Sequence, residues 1–179
     1  SPPDFGTLYS GRALEFDGVA DYFDTSGDLE NGITTLWTIT AWIKPDSISG
    51  GAQWVVAGSN ANHFGLKIYQ DDVMVEASTS VITTAIDITA SAVVTTGWHH
   101  LVWTADLADS KSYLYVDGVL SGSDTACAGT YNRTGQFVVG KRSGGEFFDG
   151  EITNVQIWDK AWSLSDVQYA YTHPENLIT

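Results

Sequence analysis

The sequence predicts an all-β chain: two antiparallel sheets packed as a sandwich, with one short helix near the C-terminus. Three observations carry this reading. Leu36 to Lys44 alternates strictly, with Trp37, Ile39, Ala41 and Ile43 on one parity and Thr38, Thr40 and Trp42 on the other, the period of a strand between two environments. About a dozen short runs rich in Val, Ile, Thr and aromatic residues are separated by regular turn signals, among them Asp-Gly pairs beginning at Asp17, Asp117 and Asp149. Helical spacing with a start signal occurs only after Ser163.

The clearest unit is Gly97 to Gly118. Trp98 to Ala105 and Ser112 to Val116 read as strands joined by a polar loop, and Asp117-Gly118 supplies the two positive-φ positions of a type I′ turn into Val119 and Leu120. Before it, Ala13 to Phe16 and Tyr22-Phe23 read as a strand pair across the loop Asp17 to Asp21. Pro45 ends the strand that begins at Leu36. Gln53 to Ala57, Phe64 to Tyr69 and Val73 to Ala77 follow, with Gln70-Asp71-Asp72 as a tight connection. Thr83 to Val94 favours strand over helix by composition, and Phe137 to Lys141 and Ile152 to Trp158 complete the set. Ser163 with Asp166 three residues on approximates a capping pair; Leu164, Val167 and Tyr171 give helical spacing before Pro174, and the helix is expected to plug one end of the sandwich.

The 179 residues fit a single domain spanning 1–179, with no linker, low-complexity run or longer repeat. Eight basic residues against 22 acidic ones give a net charge of -14, which argues against nucleic acid and anionic membranes as partners. No apolar run reaches the roughly 18 residues of a membrane span, and no signal-peptide pattern opens the chain, so export is not readable from it directly. Cys127 is the single cysteine, which rules out an internal disulfide.

The order of W-H-H-L-V-W-T-A-D and Y-L-Y-V-D-G, together with ALEFDGVADYF near the start, WTITAWIKP at 37–45, FVVGKR at 137–142 and FDGEITNVQIWDKAWSLSDV at 148–167, resembles the laminin G-like jelly rolls of the concanavalin A-like lectin and glucanase superfamily. These segments span about residues 13–170 in the family's order. The resemblance implies a jelly roll that is extracellular or surface-exposed, binds an extracellular glycan without transforming it, and forms part of a larger protein or assembly. A module for a cell-surface receptor, on a virion or a cell, is the alternative. A glycoside hydrolase is the lesser one, because the E-x-D-x-E or E-x-D-x-x-E strand of the related glucanases has no counterpart: Glu146, Asp149 and Glu151 straddle a turn. No G-x-S-x-G or H-E-x-x-H motif is present either.

Candidate site residues fall into two groups. For metal, calcium prefers oxygen ligands, and the loop from Asp17 to Asp21 offers two carboxylates. In similar sandwiches the first and last strands lie side by side, which would bring Asp149 and Glu151 to that loop; the chain departs from the family in holding Thr153 and Asn154 where acids are frequent. The competing role for Asp17 and Asp149 is simply to form turns. For sugar, a pyranose face stacks on an aromatic ring while polar neighbours take its hydroxyls. Parity places Trp42, Tyr113, Tyr115 and Trp158 outward, either to line a glycan surface or to pack under a helix or loop. Trp54, Asn132, Arg133 and Arg142 are read as loop residues suited to a rim, and Asn132-Arg133-Thr134 is also a glycosylation sequon. His99 and His100, adjacent in a strand, point to opposite faces and cannot chelate one ion together.

Overall fold

The computed structural model describes residues 12–25, 27, 33–59, 64–78, 80–131, 135–142 and 144–174. Two six-stranded sheets enclose one apolar interior as a jelly-roll sandwich. The first sheet has the order β1 (Leu14–Asp17), β12 (Asp149–Trp158), β3 (Leu36–Pro45), β8 (His99–Asp106), β9 (Lys111–Val116), β10 (Val119–Asp124). The second has β2 (Phe23–Asp24), β11 (Phe137–Val139), β4 (Ala52–Gly58), β5 (Phe64–Tyr69), β6 (Asp72–Ala77), β7 (Ile86–Ala90).

Alternation decides the faces, as the sequence predicts. Trp37, Ile39, Ala41 and Ile43 of β3 join Leu101, Trp103 and Ala105 of β8 in the interior, opposite Phe64, Leu66 and Ile68 of β5. At the centre Trp37 meets Trp103 edge-on at 5.3 Å and Phe64 at 5.5 Å between ring centroids, an arrangement suited to the aromatic quadrupole. Trp103 also needs a partner for its buried N–H, and Ser112 Oγ accepts it at 2.8 Å. Truncating any of these rings would cost about 3–5 kcal/mol.

Three sequence expectations change. Ala13–Phe16 and Tyr22–Phe23 do not pair with each other: β1 joins the first sheet beside β12, and β2 the second beside β11. The loop between them crosses the rim because Asp17 Oδ1 accepts the N–H groups of Val19, Ala20 and Asp21 at 2.8–3.0 Å, coiling the chain away from a hairpin. Within Thr83–Val94 only Ile86–Ala90 is strand, since the Asp71 carbonyl accepts from both Val93 and Val94 N–H and turns the chain aside.

The third change concerns the helix α1 (Leu164–Thr172). Its capping box is formed: Ser163 Oγ accepts from the Asp166 N–H, and the Asp166 carboxylate accepts from the Ser163 N–H at 2.8 Å. It does not plug an end. Val167 and Ala170 pack on Val102, Tyr115 and Trp162, so the helix lies across the outer face of the first sheet.

The hairpin between β9 and β10 turns at Asp117 and Gly118 with φ of 52° and 76°, the left-handed pair predicted for a type I′ turn. A Cβ at Gly118 would stand 3.0 Å from the Tyr171 ring, so the helix approaches this turn as closely as glycine permits. Asp117 ties the turn to β8, accepting the His100 N–H at 2.8 Å and bonding to His99 Nδ1 at 2.8 Å. Because the Thr95 N–H donates to His99 Nε2 at 3.0 Å, that nitrogen carries no proton and Nδ1–H is the donor to Asp117. Among the described residues no helix is long and apolar enough to cross a membrane.

Candidate functional site

The outer face of the first sheet holds Trp42, Tyr113, Tyr115 and Trp158, and their parity is as predicted. Their availability is not. Trp42, 1% exposed, is stacked against Tyr171 of α1 at 5.8 Å and against His100 at 5.0 Å. Tyr115 is buried beneath the helix, Tyr113 and Trp158 are half-buried against the same cluster, and Trp158 Nε1–H is taken by Gln156 at 3.2 Å. Trp42 and Tyr115 are therefore packing residues: the helix supplies the apolar partner that a sugar ring would otherwise provide.

The outer face of the second sheet is different, because the helix lies on the other sheet. Trp54 belongs here and not at a loop rim: it lies inside the strand predicted at Gln53–Ala57, as part of β4, directly opposite Lys67 of β5. A bulge between Trp54 and Val56 turns both Val55 and Val56 to the interior and Trp54 outward. Gly65 makes room for the bulge, since a Cβ there would stand 2.1 Å from the Val56 carbonyl oxygen. Yet Trp54 is not open to a ligand's ring. It is 0% exposed, with Lys67 Nζ 5.1 Å and Arg142 Cζ 5.5 Å from the ring centroid.

What Trp54 does is hold charge in place. Its Nε1–H donates to Glu146 Oε2 at 2.8 Å, and Arg142 Nε donates to the same oxygen at 2.9 Å. Lys67 pairs in turn with Glu76 of β6. Burial lowers the Lys67 ammonium below its usual value, opposed by the charge of Glu146. Glu146 keeps its side chain 39% exposed and holds a φ of 61°, a left-handed conformation sparsely populated by residues other than glycine. Of the predicted ligand residues, Trp54 and Arg142 are thus brought together, apart from the four on the first sheet. Asn132 and Arg133 lie outside the described residues.

At the adjoining rim a shallow cavity of about 430 Å³ is lined by Asp17, Gln53, Glu146, Phe147 and Asp149 among others. Gln53 is locked there, accepting the Asp149 N–H at 3.0 Å and donating to the Ser47 carbonyl at 2.8 Å. Beside the cavity the Lys141 ammonium sits 3.1 Å above the Tyr22 ring and 5.9 Å from that of Phe147.

The four acids proposed for calcium do not converge. β1 and β12 do lie side by side, with Asp17 opposite Asp149 and Glu15 opposite Glu151. However, Asp17 Oδ1 is committed to three backbone N–H groups, of which Ala20 contributes most to holding its carboxyl below the usual range. Glu151 is bonded to Lys44 at 2.7 Å, and that contact raises the lysine. Among the described residues no three His, Cys, Asp or Glu side chains gather in a metal-ligating group.

Lys67, Glu76 and Phe147 were missed in the sequence. Lys67 could have been placed, since Phe64, Leu66 and Ile68 pointing inward leave Lys67 on the outer face of the second sheet. Glu146 and Phe147 carry no such periodic signal, because they follow a strand of three residues in an irregular loop.

A laminin G family model of the concanavalin A-like lectin/glucanases superfamily matches residues 17–168. No curated protein matches the chain by sequence. Among solved structures, the chain is similar to the CBM40 of the Ruminococcus gnavus IT-sialidase bound to α2,3 sialyllactose, with 17% identity, 90% of this chain and 97% of that one covered, and a TM-score of 0.71. It is also similar to domain 4 of AbnA, a GH43 extracellular arabinanase from Geobacillus stearothermophilus in complex with arabinotriose, with 20% identity, 89% and 76% covered, and a TM-score of 0.73. The native heptameric SAP-like pentraxin from Limulus polyphemus shares 16% identity over 89% of this chain and 81% of its own, with a TM-score of 0.65. These likenesses show the shared fold.

Proposed function

The chain belongs to the concanavalin A-like lectin/glucanases superfamily, and from that membership and the Trp54–Glu146–Arg142 constellation we propose that it is a non-catalytic module binding extracellular carbohydrate. The observation that carries the reading is a partly exposed carboxylate, Glu146, fixed by one indole N–H and one guanidinium at the mouth of a polar cavity. A carboxylate and a guanidinium held rigidly side by side offer an acceptor and donors to neighbouring sugar hydroxyls, at little entropic cost on binding. Phe147, half-buried beside them, offers an apolar face to the C–H side of a sugar ring.

The same geometry explains why no hydrolysis is proposed. Glycoside hydrolysis requires two carboxyl groups facing one another across the scissile bond. Here Glu151 is held by Lys44, and Glu146 by Arg142 and Trp54. The structures of a sialidase module and an arabinanase domain with bound sugars support the reading by analogy of fold.

A glycan array followed by titration calorimetry tests it. Arg142→Ala and Glu146→Gln should each weaken the best array ligand at least about tenfold, ~1.4 kcal/mol, while leaving the protein folded, since the glutamine oxygen still accepts the Trp54 N–H. Unaltered affinity in both variants, or an array on which nothing binds, removes the proposal.

A further inference from the structure

Glu146 belongs to two polar surfaces at once. On one side it joins Arg142 above Trp54, next to the Lys67–Glu76 pair on the outer face of the second sheet. On the other it lines the rim cavity with Asp17, Asp149 and Phe147. Beyond the cavity the surface continues through Lys141 to the exposed ring of Tyr22, linked to Phe147 by the shared ammonium. Two polar surfaces therefore adjoin through a single carboxylate, and a chain of sugars is the ligand shape that reaches from the rim cavity past Glu146 to Arg142.

Charge narrows the class. In a chain of net charge -14, the cavity wall presents three carboxylates, Asp17, Glu146 and Asp149, and among the described residues lining it no lysine or arginine, while the neighbouring Lys141 ammonium is held over the Tyr22 ring. On the sheet face both cations have carboxylate partners: Lys67 with Glu76, and Arg142 with Glu146. A carboxylated sugar would face acceptors where it needs donors, and like charges in a partly desolvated cavity repel. A neutral sugar instead donates its hydroxyl protons to those oxygens. Resting on the carbohydrate-binding reading above, we infer that the ligand is a neutral oligosaccharide spanning at least two contiguous subsites, in contrast to the sialylated ligand of the similar sialidase module.

The test measures affinity for mono-, di- and trisaccharides of arabinose, glucose and galactose, with lactose and α2,3-sialyllactose as a pair differing in charge. In the best-bound series the trisaccharide should exceed the monosaccharide by at least about tenfold, and sialyllactose should bind no tighter than lactose. Tyr22→Ala, at the protein surface, should weaken the trisaccharide and spare the monosaccharide. Equal affinity for one and three sugars, or preference for sialyllactose, overturns the inference; if Arg142→Ala still abolishes that binding, the carbohydrate-binding reading survives it. Binding to none of these sugars, with a blank array, overturns both.

Discussion

Trp42 and Tyr171 lie stacked across the boundary between sheet and helix, their ring centroids 5.8 Å apart and their planes within 10°. An aromatic side chain on the outer face of a lectin-like sheet invites assignment to sugar binding, yet here a residue of the same chain already occupies its face. Trp42→Ala should accordingly destabilise the fold by about 3–5 kcal/mol, measured by urea unfolding, and leave glycan affinity where it was. Lost affinity without lost stability would return Trp42 to a ligand surface.

A pH dependence follows from the residue beneath that stack. His100 is 2% exposed, its Nε2 is 2.8 Å from Thr40 Oγ1, and burial pushes its pKa down to about 3, against the opposing pull of Asp117. Its Nδ1 has no hydrogen-bond partner among the described residues, so nothing there compensates a proton. The unfolded chain titrates this group near its ordinary value of 6.5. Between that value and about 3 the unfolded state binds more protons than the folded one. The stabilisation is therefore whole above pH 6.5 and is lost as pH falls through this window. From pH 7 to pH 5 the loss attributable to His100 is about 2 kcal/mol. Comparing wild type with His100→Gln at both pH values isolates it, since carboxylates titrate alike in both proteins. Equal pH sensitivity in the two would place the acid response elsewhere.

How far the sequence reveals such features depends on whether periodicity governs them. Alternation assigns Trp37 to the interior and Trp42 to the outer face, Asp117-Gly118 declares its turn, and Ser163 with Asp166 declares the helix start. Periodicity says nothing about what covers an outer face, so a stacking partner 129 positions along the chain from Trp42, Tyr171, was not foreseeable from β3. Trp54 lies within the strand read at Gln53 to Ala57, but that strand is bulged, and a bulge breaks the alternation that would tell which face the ring takes. The acidic loop at Asp17 matched calcium chemistry by composition, but carboxylates near backbone amides satisfy turns as readily as ions, and only the hydrogen bonds distinguish the two.

Trp54 is best regarded as a positioning residue. Trp54→Phe keeps an aromatic ring under Lys67 and Arg142 but removes the N–H that holds Glu146. Losing one hydrogen bond to a charged group is worth about 1.5–3 kcal/mol where it is fully desolvated; Glu146 is partly solvated, so the expected drop in glycan affinity lies at the lower end, about tenfold. The conservative variant should remain folded with unchanged near-ultraviolet dichroism apart from the missing indole. Undiminished affinity would show that Arg142 alone orients Glu146.

Calcium removal gives the last prediction. A ligand bound at a hundred times its dissociation constant adds about 2.7 kcal/mol to stability, which for a chain of this size raises the melting temperature by roughly 5–10 °C. Asp17 spends one oxygen on three backbone amides, Glu151 is bonded to Lys44, and no third acid joins Asp17 and Asp149 in a metal-ligating group among the described residues. Millimolar calcium and excess EDTA should therefore give melting temperatures within about 1 °C of each other, far below the shift a filled site produces. Asp17→Ala should lower stability equally in both media, because the turn loses the acceptor of three backbone N–H groups whether or not calcium is present. A melting temperature that rises by several degrees with calcium, and ceases to do so in Asp17→Ala, would establish that the turn is completed by an ion and not by its own amides.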